Sequence, residues 1–203
     1  IWREIRRQME ADSDTLLPDY RVRNYYLKRN QLVWIDRKGI DYRADSLLMA
    51  LRKVEQMGFN LQRFRFFQIE ADLKRMRLLD FDDNKNTINR VVGRLEYNLT
   101  KAYLRFATGQ RFGFVNPAFL LNHHDIHKSD SVQTSYQTLY AQRGQRPGDR
   151  FFKWALHMVH VDSIGWFLRQ IEPHGAYYRR FLHLLNSDSV SLYGRKLVLV
   201  NLA

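Results

Sequence analysis

An all-α, multi-helix domain closed by a short C-terminal β-strand is the fold this 203-residue sequence predicts, on three observations. Apolar residues recur at the three-and-four spacing of one helix face in segment after segment. The composition, 45% hydrophobic and 27% charged with only ten Gly and four Pro, is globular rather than disordered or collagenous. The clearest β-like pattern is confined to the last residues, and no repeat at a fixed period is detectable. A chain of this length should bury roughly 70% of its extended surface, enough for a core without staples.

Ile1 to Ala11 reads as a short helix, interrupted by Asp12-Ser13-Asp14 and Pro18. Tyr20 to Arg29 mixes aromatics with Arg, and Leu32 to Ile35 is a short apolar run of extended character before a turn at Lys38-Gly39. Leu47, Leu48, Leu51 and Val54 then form the buried face of a helix that Gly58 ends with a left-handed cap. Phe66 to Leu79 repeats the pattern through Phe66, Ile69, Leu73 and Met76, with Lys74, Arg75 and Arg77 on the other side.

After the loop Asp80 to Asn84, the longest stripe follows: Ile88, Val91, Val92, Leu95, Leu99, Ala102, Tyr103 and Phe106. Gly109 and Gly113 are expected to end that helix, and Asn116-Pro117 to open a short one through Leu121. Residues 122–149 are polar and His-rich, a long loop or internal linker. Phe152, Ala155, Leu156 and Val159 mark the next helix, and Asp162 or Ser163 caps another with Ile164, Phe167, Leu168 and Ile171, stopped by Pro173. A last helix, Tyr177 to Leu185, faces inward with Tyr178, Phe181, Leu182 and Leu185. The run Leu197 to Val200 is β-like, and a lone strand needs a sheet to join, so the natural protein is expected to continue.

Lys and Arg number 33 against 21 Asp and Glu, a formal charge of +12 that attracts polyanions without saying which. Zero Cys excludes disulfides, thiolate zinc sites and thiol nucleophiles within these residues. No apolar run approaches the roughly 18 residues of a membrane span, and the start at Ile1 rather than Met fits an end that was trimmed or processed.

Several residue groups suggest chemistry, each beside a plainer role. His123, His124 and His127 with Asp125 have metal-ligand spacing but lack the intervening Glu of a zinc protease, so a solvated loop is expected. Asp80, Asp82 and Asn84 alternate as in a calcium loop, yet Lys85 and Val91 stand where Gly and Glu are required; capping of the long helix by Asn84 or Asn86 explains them better. Arg111-Phe112-Gly113-Phe114-Val115 echoes an RNA-stacking motif without the sheet that would make a platform. Glu70 and Glu96 are the candidates for a glycan-cleaving carboxylate pair, but surface ion pairing is expected, with Arg94 and Lys101 flanking Glu96. No convincing catalytic residue, cofactor site or metal site emerges.

Five segments, in order, resemble the region upstream of the catalytic domain in the large L,D-transpeptidases of Gram-negative bacteria. They are Tyr25 to Trp34, Ala44 to Phe59, Leu99 to Gly113, Ile171-Glu172-Pro173-His174 with Tyr177 or Tyr178, and Lys196 to Asn201. Their order and spacing carry the likeness. The resemblance implies a helical scaffold over 1–194 and, in 195–203, the opening strand of a missing downstream catalytic domain. It also implies a periplasmic or cell-envelope location with an export signal already removed, and a parent enzyme that cross-links peptidoglycan through a Cys. The family's Ser-x-Gly-Cys-x-Arg signature is absent, and His174-Gly175 does not replace it. Arg105, Arg111 and Phe114 are expected at a surface that meets glycan or the catalytic domain. The alternative function is a basic helical nucleic-acid-binding domain, for which the charge is the support; a glycan-cleaving enzyme using Glu70 or Glu96 is a third.

Overall fold

A computed structural model describes residues 1–28, 31–36, 40–114 and 146–187. Among them are eight α-helices and no strand. They are α1 (Trp2–Ala11), α2 (Leu17–Leu27), α3 (Asp41–Gln56), α4 (Phe66–Leu78), α5 (Ile88–Phe112), α6 (Asp149–His160), α7 (Ile164–Ile171) and α8 (Ala176–Leu185), with a 3-10 turn, η1 (Leu61–Phe64), before α4. The expected helix after Asn116-Pro117, the His123, His124 and His127 cluster and the C-terminal strand lie outside the described residues.

The architecture is organised around α5. At 25 residues it should run about 37 Å at 1.5 Å per residue, and α1, α2, α4, η1, α6 and α7 all pack against it. Its burial is not a stripe: Val91, Leu95, Leu99 and Ala102 are joined by Glu96, Tyr97, Asn98, Thr100 and Lys101, all enclosed by neighbours. A helix surrounded in this way must satisfy its polar side chains internally, because water cannot.

Several boundaries differ from the expected ones. Pro18 sits in the first turn of α2 instead of breaking the chain, where its missing N–H costs nothing. Asp19 holds that turn, its carboxylate accepting from the Leu16 N–H at 3.1 Å. The run from Leu32 to Ile35 is irregular loop, not strand. α5 continues through Gly109 to Phe112, and its first turn follows Thr87 with no side-chain cap from Asn84 or Asn86. The carboxylate of Asp82 folds that loop instead, accepting from the N–H groups of Asn84 and Asn86 and from the Asn86 amide. Gly58, at φ 80°, is the left-handed residue after α3 that the sequence predicts.

One glycine sets how closely α1 crosses α5. A Cβ on Gly93 would stand 2.8 Å from Glu4 Cβ and 2.8 Å from the Ile1 carbonyl oxygen. Helix propensity favours Ala over Gly by about 1 kcal/mol, whereas overpacking against a backbone atom costs about 1–3 kcal/mol. Gly93→Ala is therefore expected to lower stability by up to about 2 kcal/mol despite the better helix former, as read by urea denaturation.

Candidate functional site

Three features stand out along α5, and the first is the carboxylate of Glu96. Its residue is 0% exposed. Oε1 accepts from the Tyr26 hydroxyl at 2.6 Å and from the Val33 N–H at 2.5 Å, and Oε2 from the N–H groups of Trp34 at 3.0 Å and Ile35 at 3.1 Å. Three successive amides of an irregular loop thus find their acceptor on a helix side chain. Burial pushes the Glu96 carboxyl above its usual range, opposed by the Tyr26 hydroxyl and the three amides. Trp34 completes the anchorage, donating from Nε1 to Thr100 Oγ1 at 3.0 Å and standing edge-on to Tyr103. Arg43 of α3 closes the loop from the other side, donating to the Trp34 carbonyl at 2.7 Å and pairing with Asp36 and Asp162.

The second feature is an ion network where the α1–α2 junction meets α5. Lys101 Nζ lies 2.5 Å from both carboxylate oxygens of Asp12 and 2.6 Å from Asp14. Tyr97 adds a hydroxyl to Asp12 at 2.7 Å. Arg105 grips Asp19 with Nε and Nη2 at 2.5 and 2.7 Å, a paired contact that suits the planar guanidinium. Arg23 and Arg65 approach Asp12 from α2 and from the end of η1. Burial disfavours the charged form of Asp12, yet the bonds from Lys101 and Tyr97 outweigh it and hold the carboxyl below the usual range. Asp14 is lowered chiefly by the Lys101 bond.

These contacts correct the expected role of Glu96. It is not a surface ion-pairing residue: Lys101 is engaged by Asp12 and Asp14, and Arg94 pairs with Asp72 of α4 at 2.5 Å. Glu70 is exposed on α4 and pairs with Arg52 at 3.0 Å. An enclosed Glu96 and an exposed Glu70 do not face one another across a cleft as glycosidase carboxylates must. Asp80 pairs with Arg75, and His174 bonds the Arg169 carbonyl before α8.

The third feature is a groove at the C-terminal end of α5, where two of the sequence-predicted surface residues meet. Arg105 lines it, but its charge is engaged by Asp19 and Asp14 and another N–H donates to the Arg63 carbonyl. Phe114 packs at 4.8 Å on Phe59 and edge-on to Phe64, its ring filling the space a Cβ at Gly109 would need. Leu16, Leu17, Pro18 and Arg63 line it as well, and the cavity measures about 260 Å³. Arg111 is exposed nearby on the last turn of α5 and does not line the groove. Phe112 turns away to meet Phe151 edge-on at 4.9 Å, so the aromatics of Arg111 to Phe114 are split between two clusters and make no stacking platform.

The network partners escaped sequence reasoning because Asp12 and Lys101 are 89 residues apart. The available signals were a Lys midway along the longest predicted helix and three Asp near the start of a basic chain. Residues 20–185 match a family model described as Scaffold domain. No curated protein and no solved structure matches the chain.

Proposed function

We propose, from the premise that this chain belongs to the Scaffold domain family, that it is the non-catalytic scaffold of a peptidoglycan-cross-linking L,D-transpeptidase. The domain supports a downstream catalytic domain in the periplasm or cell envelope. The family match over 166 consecutive positions, residues 20–185, carries the scaffold part of the reading. It is supported by the ordered segments similar to that enzyme family and by the chemistry of the buried carboxylates. Asp12, Asp19, Asp72 and Glu96 are each engaged by protein donors, so they serve the fold rather than a substrate. No helix among the described residues is long and apolar enough to cross a membrane.

Extending the coding sequence past Ala203 tests the assignment directly. A β-rich region with a Ser-x-Gly-Cys-x-Arg segment is the expected result, and its absence overturns the reading. The same assignment places Arg111 and Phe114 at a surface that meets the cell wall or the catalytic domain. Arg111→Ala with Phe114→Ala is expected to weaken either retention on purified sacculi or docking of the catalytic domain; no change in both removes that surface.

The +12 charge favours a second reading, a nucleic-acid-binding domain. Purely ionic attraction falls steeply with salt. Oligonucleotide mobility shifts are expected at low ionic strength and to disappear near 0.15 M, roughly the physiological value. Retention there with a preference among sequences would favour nucleic acid over the wall.

A further inference from the structure

We infer that the groove between the α1–α2 junction, η1 and the exit of α5 is a recognition site for a protein segment presenting a bulky apolar side chain beside an acidic one. This holds whether or not the chain is part of a transpeptidase, since it rests on the groove alone.

Single exposed leucines are ordinary on protein surfaces, but contiguous apolar walls are not. Here Leu16, 55% exposed, and Leu17, 39% exposed, line the same groove as Phe59, Phe64 and Phe114, whose rings pack on one another. The cavity of about 260 Å³ falls just below the range of roughly 300–1,000 Å³ typical of small-molecule sites. Its size suits one or two anchoring side chains of a peptide better than a cofactor.

Charge then selects among peptides. Two guanidiniums line the groove, and they are not equivalent. Arg105 is consumed by Asp19 and Asp14, so it offers little net field. Arg63 is exposed on η1, and no ion pair to it is formed among the described residues. An exposed guanidinium beside apolar lining favours a carboxylate, which its planar fork can bind through two parallel hydrogen bonds. A sugar ring would instead need several accessible polar groups. The unbonded hydroxyl in the lining, Thr108 Oγ1, is enclosed.

The experiment uses the full chain, immobilised and panned against a random peptide display library. Enriched peptides are expected to carry Phe, Trp or Leu within a few positions of Asp or Glu. For a synthetic fluorescein-labelled member, Arg63→Glu should weaken binding roughly tenfold or more, and Arg63→Lys less. Changing the peptide's acid to its amide should also weaken binding on the parent chain, by less than the charge reversal does, and should cost nothing on Arg63→Glu. Leu17→Glu, checked for helicity by circular dichroism, should also abolish binding; Arg63 decides alone if that variant misfolds. No enrichment over a heat-denatured control overturns the inference. Enriched peptides that are acid-free or indifferent to Arg63→Glu also overturn it. Retention of sacculi or oligonucleotides that depends on Arg63, with no peptide enrichment, reassigns the groove to those polymers and equally overturns it.

Discussion

Lys101→Met is expected to destabilise this protein by about 3–5 kcal/mol, the usual cost of removing one partner from a buried ion pair. The Lys101 side chain is 1% exposed and that of Asp12 is 0% exposed, so water cannot replace the lost ammonium. Arg23 and Arg65 remain near Asp12, but at 3.8 and 3.6 Å and from more exposed positions. Against a total stability of about 5–15 kcal/mol, the loss would leave the fold marginal. Urea denaturation read by circular dichroism measures it. The pH dependence provides a second check. Asp12 and Asp14 have carboxyls held below their ordinary value of 3.8, so their stabilisation is present above that value and fades as pH falls through the lower folded values. Removing Lys101 should flatten this acid limb as well as lower the neutral-pH stability. A Lys101→Met protein as stable as the parent would show that the network adds no net stability.

Glu96→Gln should be nearly as damaging, although it changes almost no volume. Each carboxylate oxygen accepts from at least one backbone N–H, and the amide presents –NH₂ in place of one of them. Whichever way it turns, donors meet donors. Each orphaned buried group costs about 1–3 kcal/mol, so a loss of roughly 2–4 kcal/mol is expected by denaturation. The pH signature runs opposite to that of Asp12. Because the folded carboxyl is raised above its ordinary 4.5, its contribution is fullest below that value and is lost as pH rises through the folded value. Glu96→Gln should erase this term. A catalytic role would instead leave stability untouched and remove an activity.

The helical character was legible because amphipathic spacing is local. Leu47 to Val54, Phe66 to Met76 and Ile164 to Ile171 each declare one buried face, and the structure buries nearly every residue of those sets. What spacing cannot convey is what lies opposite the stripe. Glu96 and Lys101 sit on the flank of α5 that a simple amphipathic helix gives to solvent, and with Arg94 nearby their spacing read as surface ion pairs. The structure covers that flank with α1, α2 and the Val33 to Ile35 loop, so the partners become Asp12 and three amides far away in sequence. The failed strand at Leu32 to Ile35 has the same origin. Val33 and Trp34 are buried and Leu32 and Ile35 half-buried, but the N–H groups of Val33, Trp34 and Ile35 are satisfied by a carboxylate instead of a neighbouring chain. Asp82 illustrates the reverse: the sequence points to the adjacent asparagines as helix caps, while the Asp82 carboxylate is the group that folds the turn.

That α5 touches almost every other element means no part of the N-terminal half can come loose alone. Opening the α1–α2 junction strips Asp12 and Asp14 from Lys101, and freeing α2 strips Tyr26 from Glu96, so amide hydrogens in the middle of α5 should exchange with deuterium only when the entire molecule unravels. Proteases would then find their first cut well away from that helix, and a fragment ending before Ile88 would have nothing to fold around.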